Sequence, residues 1–165
     1  MIYSFYFIPH VFIVDFLFLY MADNHSQESR SYNMSRIRSK ETKPEQVVRN
    51  YLFSKGFRYR KNVKTLPGQP DIVLPKYNTI IFVHGCFWHM HESCSRAVLP
   101  KSNQEYWIPK LTKNKSKDDE NISYLQQRGW KVIVVWECEL KNLHKEVTLK
   151  RLYNQIISGT SFSYC

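Results

Sequence analysis

The stretch TIIFVHGCFWHMHESC, residues 79–94, changes character after its fifth residue. TIIFV is β-branched and aromatic, a run of the length and type of one buried strand. HGCFWHMHESC then puts two cysteines, three histidines, a phenylalanine and a tryptophan into eleven positions. The end of a buried strand has no packing need for that mixture. Thiols and imidazoles bind metals, free imidazoles move protons near neutral pH, and exposed rings stack on flat partners. The residues leave all three uses open.

Working outward, TLPGQPDIVL (65–74) turns through Pro67, Gly68 and Pro70 into a second short strand, and PKYN (75–78) turns the chain back into TIIFV. Asp71 and His84 are therefore expected on the two strands of one hairpin. TKPEQVVRNYLFSKG (42–56) reads as a helix. Thr42 and Glu45 have capping-box spacing, Pro44 suits the first turn, Val48, Tyr51 and Leu52 share a face, and Gly56 stops it. FRYRKNV (57–63) alternates and suggests a strand. Residues 103–128 form a long polar helix, which Pro109 breaks near its start or begins in its main part, and which Gly129 ends. WKVIVVWEC (130–138) reads as a buried strand that delivers Cys138. HKEVTLKRLYNQII (144–157) is an amphipathic helix with Val147, Leu149, Leu152 and Ile156 on its apolar face. Helix, three strands, helix, strand, helix make an α/β domain over 41–160, a mixed β-sheet flanked by helices.

The 165 residues suit one domain, and 43% hydrophobic with 23% charged residues describe a globular chain. A net charge of +10 favours a polyanionic partner, nucleic acid first, over a merely solvated basic face. Four cysteines are too few for a disulfide scaffold of this length, and two of them lie among histidines. Residues 1–20, MIYSFYFIPHVFIVDFLFLY, carry no Lys or Arg and lack the pattern of a secretory signal. They read as a leader from a start assigned too early, with a membrane anchor as rival, and Met21 opens an ordinary polar beginning. Residues 21–40 form a basic arm with Arg30, Arg36, Arg38 and Lys40, suited to phosphates, or else a disordered tail.

Cys86, His91 and Cys94 spell C-x4-H-x2-C, and Cys138 stands at the end of another core strand. Three cysteines and one histidine suit tetrahedral Zn²⁺ with every position protein-filled, hence a structural ion. His84, His89 and His91 compete for the single imidazole place. Rivals are buried free cysteines beside a surface histidine, or a Cys86–Cys94 disulfide. Asp71, after a rigid turn, can hold Mg²⁺ through oxygen, although a turn-forming Asp is the plainer reading. Glu45 on the preceding helix and His84 on the next strand make the order that of phosphodiester hydrolysis. Phe87, Trp88 and Trp107 are either a wedge for stacked bases or a small core around the zinc.

Together, NMSRIRSKET, LPGQPDIVL, IIFVHGCFWH, EYWIPKLTKN and GWKVIVVWEC resemble the very short patch repair (Vsr) endonucleases, bacterial mismatch nickases, from Met21 to about Ile157. The resemblance implies a restriction-endonuclease-like fold and Mg²⁺-dependent nicking of duplex DNA beside the thymine of a T:G mismatch left by 5-methylcytosine deamination. It implies Asp71 and the main-chain carbonyl of Val83 as Mg²⁺ ligands, and His84 and His89 as catalytic histidines. Glu45 would support them and Asp118 would orient His89. Cys86, His91, Cys94 and Cys138 would hold structural Zn²⁺. Phe87, Trp88 and Trp107 would intercalate, and Met34 and Lys110, with Arg36 and Arg38 of the arm, would contact DNA. A monomer in the bacterial cytoplasm is implied, with no membrane, handing its nick to mismatch-repair proteins and a DNA polymerase. The sequence departs from the family pattern at Val83, where a threonine is usual, and by one extra residue between His91 and Cys94. Met90 and Glu92 also stand where a more His-rich version has histidines. Two other readings fit the same residues: a zinc-stabilised DNA-binding module without activity, and a nickase of this fold with another target.

Overall fold

The computed structural model describes residues 40–158, together with Ser26, Glu28, Ser29, Tyr32, Ser35 and Arg36. Helix α1 spans Lys43–Ser54. The Thr42 hydroxyl accepts from the Glu45 N–H at 3.4 Å while the Glu45 carboxylate accepts from the Thr42 N–H at 3.3 Å, so the capping box forms. The strands are β1 (Arg60–Lys61), β2 (Ile72–Leu74), β3 (Thr79–His84) and β4 (Lys131–Trp136). Helix α2 is Gln104–Gln127 and helix α3 is His144–Ile157.

The sheet order is β1-β2-β3-β4. β1–β2 and β2–β3 are antiparallel and β3–β4 is parallel, with His84 opposite Trp136. A single-residue alternation sorts the core. Ile72, Leu74, Ile81, Ile133 and Val135 pack against Val48 and Leu52 of α1 and Leu149, Leu152 and Ile156 of α3. Val73, Ile80 and Phe82 turn the other way and meet Leu125 of α2. The central strand β3 is thus covered on both faces, which is why it reads as an unbroken apolar run. His84 follows the parity of Ile80 and Phe82, so it faces α2. The crossover is pinned where β3 begins: Asn78 takes a left-handed conformation (φ 45°), and its side chain donates to the Gly129 carbonyl at 2.5 Å.

Four expectations need correction. FRYRKNV pairs only at Arg60–Lys61, because Asn62 turns left-handed (φ 46°) and ends the ladder at an exposed edge. Pro109 neither breaks nor starts α2; the helix runs through it. At the sixth helical position the missing N–H forfeits the bond to the Glu105 carbonyl and the ring crowds that carbonyl, a cost that the rest of this 24-residue helix absorbs. β4 is half-buried, not buried, and Cys138 sits beyond it in the 3-10 turn Glu137–Leu140. Val147 is 70% exposed and points away from the core that Leu149, Leu152 and Ile156 enter. Of the arm, Arg36 lies with its guanidinium 4.8 Å from the Tyr32 ring. Met34, Arg38 and the leader lie outside the described residues, as does Cys165. Among the described residues no helix is long and apolar enough to cross a membrane.

Candidate active site

The eleven residues 84–94 divide into three groups of side chains. Hydrogen bonds from the His89 N–H to the Gly85 carbonyl (3.2 Å) and from the His91 N–H to the Cys86 carbonyl (3.0 Å) wind the loop. Met90 (φ 48°) and Ser93 (φ 55°) then reverse it in left-handed conformations.

The first group is sulfur-rich. One ligand atom each of Cys86, His91, Cys94 and Cys138 lies within 4.8 Å of the others. The Cys138 Sγ is 3.4 Å from His91 Nδ1. The His91 ring lies flat on Trp136, centroids 4.0 Å apart and planes 4° from parallel. The three cysteines are free thiols, so there is no Cys86–Cys94 disulfide. Burial pushes the Cys86 thiol up to about 12 and raises Cys138 too, whereas a hydrogen bond from the Arg96 backbone lowers Cys94. Three thiols and an imidazole nitrogen converging from two elements are the donor set of a closed tetrahedral site, and they fit Zn²⁺. The imidazole place in the cluster falls to His91, the histidine of the C-x4-H-x2-C spacing.

The second group is nitrogen- and oxygen-rich. His89 Nδ1 lies 2.5 Å from Asp118 Oδ2 on α2. His84 stacks on His89 with centroids 3.8 Å apart and planes 7° from parallel. His84 is 6% exposed, and burial, then the neighbouring His89, lower its pKa to about 4. It is therefore neutral at pH 7. His84 meets the same Trp136 that carries His91, edge-on at 5.4 Å.

Asp71 stands one residue before β2. Its Oδ2 accepts from the Val83 N–H at 2.8 Å across the hairpin, and among the described residues no hydrogen bond to Oδ1 is formed. Burial raises its pKa to about 6, and the nearby Glu45 charge adds to the rise. A half-buried carboxylate with one oxygen oriented and one open is a hard-oxygen donor that fits a divalent cation such as Mg²⁺. Gly68 makes the turn before it. Its φ is +72°, and a Cβ there would lie 3.1 Å from Phe82 and 3.2 Å from Asn121, so both conformation and space demand glycine. Glu45 is 3% exposed and bound to its own helix start and to Arg49.

The third group is aromatic. Phe87 contacts Trp88 (5.1 Å) and Trp107 (5.4 Å) edge-on, and Trp88 and Trp107 are 6.0 Å apart. Tyr106, half exposed, adds a fourth ring 5.1 Å from Trp107. Lys110 Nζ donates to the Tyr106 hydroxyl at 2.7 Å and lies 5.0–5.9 Å from three of these rings. Asn114 holds the loop by donating to the Trp88 carbonyl at 3.3 Å. These rings pack on one another and on α2; the ring beside the cysteines is Trp136. The sequence reading passed over Trp136, Tyr106, Asn114 and Arg49. The WEC ending of β4, adjacent to Cys138, was the one available signal for Trp136.

A mixed sheet between helices, with a carboxylate at the start of one hairpin strand and a histidine–aspartate pair beyond the next, fits a restriction-endonuclease-like nuclease. Comparison with known proteins takes this further. The family described as DNA mismatch endonuclease Vsr matches residues 22–96. The type II nicking enzyme V.NmeAIP of Neisseria meningitidis serogroup A is 54% identical over 132 residues, covering 80% of this chain and 92% of its own. The type II nicking enzyme V.XorIIP of Xanthomonas oryzae pv. oryzae is 49% identical over 123 residues (74% and 90%). The DNA mismatch endonuclease Vsr of Escherichia coli K12 is 41% identical over 125 residues (76% and 80%). The chain belongs to the Vsr family, and it is an endodeoxyribonuclease. The reading as a binding module without activity falls.

Proposed function

We propose that this endonuclease nicks one strand of duplex DNA beside the thymine of a T:G mismatch, the lesion left by 5-methylcytosine deamination, and so starts very short patch repair. The observation that carries the reading is the juxtaposition of the His89–Asp118 pair with a half-buried aromatic cluster, in which the loop supplies His89, Phe87 and Trp88 and α2 supplies Asp118 and Trp107. Hydrolysis and probing of the base stack are thereby held close together.

Asp71 and the main chain of Val83 would hold Mg²⁺, which would supply polarisation of the scissile phosphate and charge stabilisation for the leaving oxygen. Asp118 engages His89 Nδ1, which leaves Nε2 to take a proton from the attacking water. The water oxygen bonds to phosphorus, the bond from phosphorus to the 3′ oxygen breaks, and that oxygen leaves with its electron pair and takes a proton from solvent water, giving a 5′-phosphate and a 3′-hydroxyl for a polymerase to extend. Neutral His84, stacked on His89, keeps that ring in place and offers an N–H to the phosphate. Cys86, His91, Cys94 and Cys138 hold structural Zn²⁺ and fix the loop. Phe87, Trp88 and Trp107 insert beside the wobble pair, which unstacks at lower cost than a matched pair. Lys110 and the arm residues Met34, Arg36 and Arg38 contact the DNA, which gives a salt-sensitive affinity.

The test is nicking of two duplexes that differ only in T:G against C:G, each with Mg²⁺ and with chelator. Mg²⁺-dependent cutting of the T:G duplex alone is expected. Equal cutting of both would favour the second reading, a nickase with another target, to which the names of the Neisseria and Xanthomonas relatives lend weight.

A further inference from the structure

Arg49 sits on α1, away from the three groups of the loop, yet it is the most heavily committed charged side chain near Asp71. Its side chain is 5% exposed. Nη1 donates to Glu41 Oε1 at 3.1 Å. Nη2 donates to Glu45 Oε2 at 2.8 Å, and reaches Asn62 Oδ1 and the Asp71 main-chain carbonyl, each at 3.4 Å. The Asn62 N–H donates to that same carbonyl at 3.3 Å. Nε is buried without a hydrogen-bond partner. A buried guanidinium with an unmet N–H destabilises its surroundings, so packing alone does not account for an arginine here.

The Glu45 carboxylate is already saturated. Oε1 accepts from the Thr42 N–H at 3.3 Å and the Thr42 hydroxyl at 2.9 Å, and Oε2 from the Glu41 N–H at 3.1 Å and from Arg49. A carboxylate has about four acceptor directions, and all are taken. A metal ion or a water would have to displace one of these donors. Arg49 and Glu45 also neutralise each other. Arg49 grips residue 71 by its main-chain oxygen and leaves the carboxylate oxygens to Val83 and to a ligand.

We propose that Arg49 is a positioning residue that locks Asp71 in place by its main chain, and that Glu45 acts by anchoring Arg49, not by touching metal or phosphate. The inference rests on the reading of Asp71 as the metal-holding carboxylate. Two readouts test it. One is Mn²⁺ binding, by electron paramagnetic resonance, to the protein on a pre-nicked T:G duplex; the other is the Mg²⁺ concentration giving half-maximal nicking. Arg49→Lys and Glu45→Gln should each weaken Mn²⁺ binding and raise the Mg²⁺ half-saturation by about 10-fold, the scale typical of groups that orient metal ligands. KM for DNA should hold, and the double variant should be no worse than the weaker single one, since both act through one linkage. Unchanged Mn²⁺ binding by folded Arg49→Lys overturns the proposal. So does a Glu45→Gln defect that multiplies with that of Arg49→Lys, because Glu45 would then act directly. If Arg49→Lys fails to fold, Glu41→Gln, a change at a half-exposed partner of Arg49, should shift both readouts in the same direction, and no shift overturns the idea. Asp71→Asn run alongside separates the two levels. If it retains Mn²⁺ binding, the assignment of Asp71 fails. If it loses binding while Arg49→Lys keeps it, the role of Arg49 alone fails.

Discussion

Trp136 is a shared wall between two unlike clusters. On it His91 lies flat beside three thiols, while His84 meets it edge-on beside His89 and Asp118. Both clusters draw on the same loop and on one distant element, Cys138 beyond β4 in one case and Asp118 of α2 in the other. They differ in chemistry. The sulfur-rich set offers four protein donors, which would fill a tetrahedral site and leave no position for substrate. The His/Asp set pairs His89 with Asp118 and stacks His84 on His89, and in the proposed mechanism it moves the proton. Under the proposed function the difference is a division of labour, in which one cluster would fix the loop and the other would react. A loop with two left-handed residues and little apolar burial would otherwise be a poor platform for chemistry.

The comparison breaks most sharply at Asp71. Asp71→Ala should lower the nicking rate by more than about four orders of magnitude, beyond the usual cost of losing a general base, because the divalent ion goes with it. Single-turnover nicking of a T:G duplex measures this, and a wild-type rate would sink the assignment. Cys138→Ser should abolish bound zinc, lower the melting temperature by well over 10 °C and reduce nicking along with it, because structural zinc contributes folding free energy directly. Metal analysis beside calorimetry checks it, and full metal retention would refute the four-ligand set. His89→Ala should cost about two to four orders in rate with the melting temperature nearly unchanged. A large loss of stability there would mean that the second cluster also holds the loop.

Two pH effects sharpen the contrast. Asp71 has a folded pKa raised from 3.8 to about 6. The stability it gives in the metal-free protein is therefore complete below pH 3.8 and is lost as pH rises through 6. Asp71→Asn should match wild type at pH 4 and exceed it at pH 8 by on the order of 2 kcal/mol, read by denaturant melts in chelator. A wild type that stays the more stable at pH 8 would show the carboxylate to be well solvated. His84 runs the other way. Its folded pKa is lowered from 6.5 to about 4, so its contribution is present above pH 6.5 and lost as pH falls toward 4. The smallest effect belongs to the wall itself. Trp136→Phe should cost about 1 kcal/mol and lower nicking only several-fold, the scale of a lost ring contact. A change in one of zinc content or rate without the other would show that the two clusters are not coupled through it.

Much of this was legible in residue order because it is local physics. The capping box at Thr42 and Glu45, the turn before Asp71, the two-sided burial of TIIFV and the stop at Gly129 each follow from a few neighbouring residues. So did the membership of the cysteine cluster, since thiols beside a strand end have few other uses. Tertiary structure alone decided what depends on partners distant in sequence. It stacked His91, which its spacing from the two loop cysteines had already singled out, on Trp136 beside Cys138, and set His89 against Asp118. It turned Val147 outward and let α2 run through Pro109. It also closed the Glu45 carboxylate into a network with Arg49 and the Asp71 main chain, 22 residues beyond Arg49. Periodicity and capping act over a few residues and are written in the chain. Which ring an imidazole stacks on, and which carboxylate is left with an open oxygen, is set by how the sheet and helices stack, and no single segment contains that information.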